Sequence, residues 1–364
     1  MPDHIPGLTL SERYYWEVVR PILDQSFPRL PHSAALLGPG SEVLGFDTAR
    51  STDHHYGLRL ILFLNAEDWP GLSAKVDEAL RQGLPVQFSG YSTNFTPPNP
   101  NDNGVRLPQW VEKGPVNHII EITTVEAFGR RELGIDPFGE FTAQDWLLFE
   151  EQRLLTLTRG RVYYDGLGLL GALREKLVYY PQDIWLYLLV AEWQKISQEE
   201  AFVGRTGEVG DELGSRLVAA RLVQSLMRLG FMMERQYIPY SKWFGTGFSR
   251  LACAPRLTGA LQGVLSAATW GQREEYLCQA YTLTAEMHNV LGITPPVETQ
   301  PSLYHGRPFR VIHGDEIAAK IKAAIRDERV RCLPEDIGSV NQFLVSVDVL
   351  NNNGLRQKLR GLYE

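Results

Sequence analysis

The chain has 364 residues, so two domains are the default expectation, because one hydrophobic core rarely grows beyond about 250–300 residues. Hydrophobic residues make up 44% of the chain and charged residues 22%, which is typical of a globular protein. The net charge is −7 and the sequence contains no long run of Lys or Arg, which argues against nucleic acid as a partner. A small molecule, such as a nucleotide with its metal ion, suits this charge better.

The cysteines and the N-terminus indicate the compartment. Cys253, Cys278 and Cys332 are odd in number and far apart, which argues against a disulfide framework and excludes a cysteine-rich zinc site. The first 16 residues lack the basic and apolar regions of a secretory signal, and no window approaches 18 consecutive apolar residues. We therefore expect a soluble cytoplasmic protein with reduced thiols and no membrane partner. The sequence does not determine the oligomeric state.

Hydrophobic periodicity in the first half alternates between helix and strand. Helices are predicted at residues 8–27, 67–83, 125–133 and 142–157. Strands are predicted at 58–64, 85–88, 118–124 and 160–165, and a further short apolar run covers 34–37. Residues 89–114 are dense in Pro, Asn, Gly and Ser, which predicts a long loop or insertion.

From residue 169 onward the apolar spacing is helical, apart from a short strand candidate near Arg310. The predicted fold class is therefore α+β, with a mixed-sheet domain at residues 1–168 followed by an all-helical domain at 169–364. One helical stripe is predicted to form core: Trp185, Leu188, Leu189 and Trp193. Glu199 and Glu200 are predicted to lie on a solvated helix face.

A turn of small residues, GPGS, precedes the most informative stretch of the sequence. Gly38, Gly40 and Ser41 suit phosphate binding, because glycine lets backbone N–H groups approach an anion and serine adds a hydroxyl donor. Asp53 follows, shortly before the apolar run 58–64, where a carboxylate could hold a divalent cation beside the phosphates. Without that context, GPGS is an ordinary turn and Asp53 a turn cap.

Two further charged residues lie in predicted strands. Glu121 could supply another metal-binding carboxylate if its strand lies beside residues 58–64, or it could face solvent on an edge strand. Arg59 lies in an otherwise apolar run and needs an anionic partner if buried. A triphosphate would serve, as would Glu121 or Asp47, and of these we favour an ion pair within the protein.

The segment YIPYSKW offers another possible nucleotide contact. Lys242 could reach phosphate as a compact point charge, and Tyr240 could stack on a base. The structural alternative, which we favour, is that these aromatic residues only seal a joint between the domains.

The residues of the Gly-Ser turn and the segment after it resemble a known family. Gly40 and Ser41, followed by Asp53 before a hydrophobic strand, are similar to the motif of the polymerase-beta-like nucleotidyltransferase superfamily. The helical second half resembles the domain that follows the catalytic domain in aminoglycoside-nucleotidyltransferase-like members. Three segments resemble more closely a bacterial family of unknown function with this fold, and this resemblance spans roughly residues 41–251: GSEVLGFD…DHHYG, VYYDGLGLL…YYPQDIWLY and ERQYIPYSKW.

The resemblance implies a twisted sheet with the Gly-Ser turn at a helix N-terminus, an NTP (ATP by preference) as co-substrate, and Mg²⁺ or Mn²⁺. Gly40 and Ser41 match the phosphate-binding pair, and Asp53 matches the first metal-binding carboxylate. His55 stands where the family has a second carboxylate. A neutral imidazole can bind a metal, but it adds no negative charge and prefers softer ions than Mg²⁺.

Two hypotheses follow, of which we favour the enzyme. The first is a metal-dependent nucleotidyltransferase that moves a nucleotidyl group from an NTP to a small-molecule acceptor, with Asp53, His55 and Glu121 as its catalytic and metal-binding residues. Its nucleotide-binding residues would be Gly38, Gly40, Ser41, Arg59, Tyr240 and Lys242. The second is a divergent member of the fold that binds a ligand, or that uses the same pocket for other chemistry, such as a lyase reaction.

Overall fold

A computed structural model describes residues 5–53, 56, 58–102, 104–334 and 336–364, with only the backbone for Thr52 and Asp53. The chain forms two compact units. The first, the sheet unit, contains Met1–Glu140 and Arg153–Val178; the second, the helical unit, contains Phe141–Gln152 and Tyr179–Glu364. The sequence predicts a single boundary after residue 168, whereas here a short internal segment belongs with the C-terminal half.

The elements up to residue 178 follow in chain order. The helices are α1 (Gly7–Tyr14), a π-helical turn (Tyr15–Val19), α2 (Arg20–Ser26), α3 (Trp69–Gly83), α4 (Val125–Leu133), α5 (Ala143–Leu148), α6 (Glu151–Thr158) and α7 (Leu169–Lys176). The strands are β1 (His32–Leu36), β2 (Ile61–Leu64), β3 (Gln87–Phe88), β4 (Tyr91–Ser92), β5 (Glu121–Thr123) and β6 (Arg161–Asp165).

Four of these strands form one mixed sheet in the order β5-β2-β1-β6. β1 runs antiparallel to both β2 and β6, whereas β2 runs parallel to β5. Every residue of β1 and β2 is buried, which explains why β2 and the second half of β1 are apolar throughout. One face of β2 packs into a core with α1 and α3, and on the other Phe63 contacts Phe128 of α4 edge-on at 5.4 Å. The sheet is therefore covered by helices on both faces.

Most elements predicted for this half are present, with shorter strands than expected. The helix predicted at 8–27 is a continuous helical run, and α3 and α4 lie where the sequence places them. The segment 89–114 is mainly irregular, as predicted. It begins within the β3–β4 hairpin and carries isolated bridges from Phe95 to Pro108 and from Asn99 to Val105.

The prediction of a single helix at 142–157 is wrong, because α5 and α6 are separated at Phe149 and Glu150. The side chain of Asn341, which is distant in sequence, stabilises this interruption. Its Nδ2 donates to the carbonyl of Phe149 at 2.8 Å, and its Oδ1 accepts from the N–H of Glu151 at 3.0 Å. The buried Phe149 also packs edge-on against Phe141 at 5.2 Å. The interruption thus depends on a tertiary contact that local periodicity does not contain.

The helical unit consists mainly of helices. They are α8 (Gln182–Glu199), α9 (Phe202–Glu208), α10 (Glu212–Met233), α11 (Ser241–Phe248), α12 (Ala254–Ser266), α13 (Trp270–Leu291), α14 (Gly314–Ala324), α15 (Glu328–Arg331), α16 (Val340–Phe343), α17 (Val347–Asn351) and α18 (Asn353–Gln357). A short hairpin joins β7 (Ser302–Leu303) to β8 (Arg310–Val311), at the strand candidate near Arg310. The α+β fold class, with a small mixed sheet followed by a helical half, is confirmed.

The core of this unit is built around α8. The predicted stripe is buried, as Trp185, Leu188, Leu189 and Trp193 are each at most 1% exposed. Asp211 caps α10, because its side chain accepts from the N–H of Gly214 at 2.8 Å. Cys253 and Cys278 are buried free thiols, and Cys332 is exposed. Within the described ranges, no helix combines the length and apolar character that crossing a membrane requires.

The expectation of a solvated Glu200 is wrong, since this residue is 5% exposed. Its carboxylate accepts backbone N–H groups of Ile312 at 2.8 Å and Gly314 at 3.3 Å, at the start of α14. Burial raises the pKa of Glu200 to about 7, and nearby Asp315 contributes in the same direction. Glu200 therefore joins α8 to α14 rather than facing water.

We expect Glu200 to make folding stability fall as the pH rises from 5 to 8. Its carboxyl is protonated at pH 5 in the folded chain, where the pKa is about 7, but largely ionised in the unfolded chain. The stabilisation is complete below the unfolded pKa and is lost as the pH rises through 7. The loss should amount to roughly 2 kcal/mol, because each pKa unit corresponds to about 1.4 kcal/mol. Urea unfolding of wild type and Glu200→Gln at both pH values isolates this effect, and an unchanged pH dependence in the variant would refute it.

Candidate functional site

The register of the sheet brings the predicted motif elements to one edge. Ala35, near the end of β1, pairs with Ile61 at the start of β2, and Ile61 pairs with Glu121 at the start of β5. Leu36 pairs with Arg161 at the start of β6. The end of β1 and the starts of β2, β5 and β6 therefore share one edge. The Gly-Ser turn leaves the sheet at this edge, and the chain returns to it after Asp53.

The turn that follows β1 is fixed by backbone hydrogen bonds to α6 and β6. The N–H of Gly38 donates to the carbonyl of Thr156 at 3.1 Å, and the N–H of Gly160 donates to the carbonyl of Val43 at 2.9 Å. Gly38 and Gly40 have φ angles of +82° and +143°, which L side chains rarely adopt. The turn is thus a glycine-dependent loop anchored at both ends.

Ser41 does not lie at the N-terminus of a helix, so that implication of the resemblance is wrong. Residues 41–45 form a turn closed by the N–H of Phe46, which donates to the carbonyl of Ser41 at 2.8 Å. The chain then continues without helical structure as far as a 3₁₀ helix, Ala49–Asp53. The backbone N–H groups of Gly40 and Ser41 donate to no other part of the described chain, and both residues are half-buried. Both amides are consequently free to bind an anion.

Arg59 pairs with Glu42, a residue that the sequence interpretation overlooked. Its Nε lies 2.7 Å from Oε1 of Glu42, which is 4% exposed, and its Nη2 donates to the carbonyl of Pro39. We predicted an ion pair within the protein, and Arg59 forms one. Its partner, however, is neither Glu121 nor Asp47. A glutamate directly after the Gly-Ser pair, in a turn of otherwise small and apolar residues, was the available signal.

Asp47 has partners of its own, and Gly40 lies directly against the Arg59–Glu42 pair. Asp47 accepts from the N–H of Gly7 at 2.8 Å and from the hydroxyl of Tyr56 at 3.2 Å. A Cβ built on Gly40 would collide with Nη2 of Arg59 and the carboxylate of Glu42. Arg59 therefore stabilises the conformation of the Gly-Ser turn. A phosphate bound by Arg59 would have to share the guanidinium group with Glu42.

Glu121 lies on the strand beside β2, the placement on which its predicted role depends. Its side chain is 38% exposed, and Oε1 lies 2.5 Å from Nη1 of Arg131 on α4. Arg131 also contacts the buried Glu132 at 3.1 Å, and Glu132 pairs with Arg153 at 2.5 Å. A cation bound by Glu121 would have to share or displace Arg131. Among the residues that the structure describes, no three His, Cys, Asp or Glu side chains converge as a metal site.

The structure leaves four of the predicted residues untested at this edge: Asp53, His55, Tyr240 and Lys242. Asp53 ends the 3₁₀ helix, and its side chain is not described; His55, with its neighbour His54, lies outside the described residues. Tyr240 and Lys242 belong to the helical unit. Tyr240 is 42% exposed and its N–H donates to Oε1 of Gln152 at 3.0 Å, while Nζ of Lys242 lies 5.0 Å from the ring centre of Trp243. Their roles therefore stay predictions.

Comparisons with known proteins give limited similarity. Residues 146–244 match the model of a domain family of unknown function, DUF4037. No curated protein matches the chain. Among solved structures, the chain is similar to a nucleotidyltransferase-like protein from Exiguobacterium sibiricum 255-15, with 12% identity over 76% of this chain and 74% of that one, and a TM-score of 0.31.

Proposed function

We propose that this protein binds a nucleoside triphosphate with Mg²⁺ or Mn²⁺ and transfers a nucleotidyl group to a small-molecule acceptor. One observation carries the proposal. The Gly-Ser turn, the chain after Asp53 and the start of β5 with Glu121 meet at one edge of the sheet. The spacing of Gly40, Ser41 and Asp53, which resembles that of polymerase-beta-like nucleotidyltransferases, supports the same assignment.

In this proposal the turn holds the phosphates. The N–H groups of Gly40 and Ser41, which donate to no other described residue, would bind phosphate oxygens, and the Ser41 hydroxyl would add a donor. Asp53 would bind the metal with His55, and Glu121 would supply a further carboxylate if it separates from Arg131. When bound, the metal would neutralise charge on the transferred phosphoryl group. Arg59, through Glu42, would keep the turn in shape.

We expect ATP with Mg²⁺ or Mn²⁺ to raise the melting temperature. Ligand at 100 times its dissociation constant adds about 2.7 kcal/mol, which corresponds to roughly 5–10 °C for a unit of this size. Asp53→Ala should abolish the metal-dependent part of this shift. Glu67→Ala, a change at an exposed carboxylate after β2, is the matched control and should retain it. The absence of a shift with every NTP and metal combination would refute the proposal.

A second candidate is a divergent protein of this fold that binds a ligand or catalyses a different reaction. It is favoured by His55 at the expected second carboxylate and by the ion pair between Glu121 and Arg131. His55→Asp distinguishes the two, measured by pyrophosphate release from ATP in the presence of candidate acceptors. If the site is a weakened nucleotidyltransferase, the variant should release pyrophosphate faster than wild type. Turnover of a ligand by wild type without any triphosphate would instead support different chemistry.

A further inference from the structure

The helical unit contains a cavity of about 720 Å³ between α8, α10 and the chain around α16. This volume lies within the range of small-molecule sites, which is about 300–1,000 Å³. α8 presents Gln194 and Gln198, one helical turn apart, and α10 presents Gln224 and Arg228 with the same spacing. Two neighbouring helices thus both contribute polar side chains to the lining.

The cations of this cavity are already paired with carboxylates. Arg228, 8% exposed, lies 3.3 Å from Glu192 through Nε and 3.2 Å from Glu151 through Nη2. Lys195 lies 3.3 Å from the same Glu192. Both glutamates are buried, so the charge of the floor is balanced from within. A strongly anionic ligand would gain little binding energy here, because these positive charges are already neutralised by carboxylates.

The third cation, at the rim, is also neutralised. Nε of Arg221 lies 2.9 Å from each carboxylate oxygen of Glu199, which also lines the cavity. Two side-chain amides on the C-terminal side of the cavity already form hydrogen bonds within the protein. Asn341 bridges Phe149 and Glu151 as described above, and Gln342 donates to Glu192 at 2.8 Å. The charged groups and these two amides therefore build the wall.

Three amides remain available. The side chains of Gln194, Gln198 and Gln224 make no hydrogen bond to any part of the chain that the structure describes. All three line the cavity; Gln194 is half-buried, and Gln198 and Gln224 are exposed. Each amide can donate two hydrogen bonds and accept two. A purely apolar ligand would remove these groups from water without giving them partners, which is unfavourable. The side chains of the cavity that remain free to bind a ligand are therefore neutral and polar, and they belong to two helices.

The C-terminal side of the cavity also presents apolar side chains. Phe343, Val345 and Leu362 border it and are 38%, 93% and 46% exposed. A ligand that fits both sides carries hydroxyl groups at its edge and C–H groups on one face. Ring-shaped polyols, such as monosaccharides and cyclitols, have this distribution of groups.

We propose that this cavity binds a neutral, hydroxyl-rich small molecule of the monosaccharide or cyclitol class, recognised by Gln194, Gln198 and Gln224. Hydroxyl groups match the amides because each is both donor and acceptor. The site belongs to the helical unit alone, and the inference does not depend on nucleotide binding at the Gly-Ser turn. It would stand even if Asp53→Ala had no effect on ATP binding.

Saturation-transfer NMR and titration calorimetry on the full chain test the proposal. The panel contains neutral polyols (glucose, galactose, mannose, myo-inositol), phosphate esters of the same compounds, and adenosine. We expect at least one neutral polyol to bind, more tightly than its phosphate ester and than adenosine. Gln198→Leu combined with Gln224→Leu should weaken binding roughly tenfold or more, since both variant side chains lose their hydrogen bonds to the ligand.

Gln262→Leu on α12 is the matched control, because Gln262 is exposed and does not line the cavity. It should bind as wild type does. Gln198→Ala, a single change at an exposed residue, is a second variant in case the double variant is poorly folded, and it too should weaken binding because it removes the amide. Preference for a phosphate ester or for adenosine, equal binding by the glutamine variants and the control, or no binding of any neutral polyol at millimolar concentration would each overturn the proposal.

Discussion

Replacing Arg228 by methionine is expected to destabilise the helical unit by about 3–5 kcal/mol, because the change leaves two buried carboxylates without their cation. Glu192 is fully buried, and Arg228 is the principal cause of the lowered pKa of Glu192. Burial raises the pKa of Glu151 to about 7 despite the same arginine. In the variant both groups would tend to take up protons, so we expect a larger loss of stability at pH 8 than at pH 5. Urea unfolding followed by circular dichroism measures both effects.

Arg221→Met is the matched control, because Arg221 lies on the same helix and pairs with a carboxylate at the surface, where such pairs contribute at most about 1 kcal/mol. A double variant, Arg228→Met with Glu192→Gln, should recover most of the loss, since it removes the charge left unpaired. Equal losses for Arg228→Met and Arg221→Met would contradict the buried-pair explanation.

The second large effect is expected at Gly160, where alanine should destabilise the sheet unit by about 3–4 kcal/mol. The φ angle of Gly160 is +70°, which costs an L residue roughly 1–2 kcal/mol. In addition, a Cβ here would overlap the backbone carbonyl oxygen of Leu36, which the strand pairing of β1 holds in place. Overpacking against a fixed group adds about 1–3 kcal/mol.

Gly168→Ala separates these two contributions. Gly168 has a φ of +72°, but a Cβ there would meet nothing within 4 Å. It should therefore show only the backbone cost, and chemical unfolding of the two variants should differ by about 2 kcal/mol. Because the N–H of Gly160 holds Val43, we also expect Gly160→Ala to reduce the ATP-dependent rise in melting temperature. Equal stabilities of the two variants would show that β1 moves aside without cost.

Local sequence patterns predicted the elements better than their ends or their partners. Residues 125–133 form the predicted helix, because the residues that start and end it are adjacent in sequence. Thr124 caps it by accepting from the N–H of Ala127, and Gly134 ends it in a left-handed conformation. The predicted helix at 142–157 was wrong because its break depends on Asn341, nearly 200 residues later in the chain. The predicted strands were longer than the observed ones, because a strand ends where its pairing partner ends and not where the hydrophobic run ends.

In the candidate site, too, the sequence predicted features that depend on residue type but not the partners of individual side chains. The glycines and Ser41 stood out from their spacing, because positive φ angles and anion binding depend on residue type. The pairing of Arg59 with Glu42, and of Glu121 with Arg131, could not be chosen among several carboxylates and cations without the tertiary structure. The sequence could place Glu121 on a strand, but only the sheet register shows that it lies beside Ile61.

By itself, then, the sequence determined the α+β class, the buried stripe of α8 and the glycine-dependent turn after the first strand, because each is a consequence of local residue type and period. Only the tertiary structure decided which charges neutralise one another, that Glu200 is buried against α14, and that Asn341 separates two helices. Ion pairs, burial and strand register depend on groups that meet only when distant parts of the chain pack together, and no short stretch of sequence specifies its distant partner.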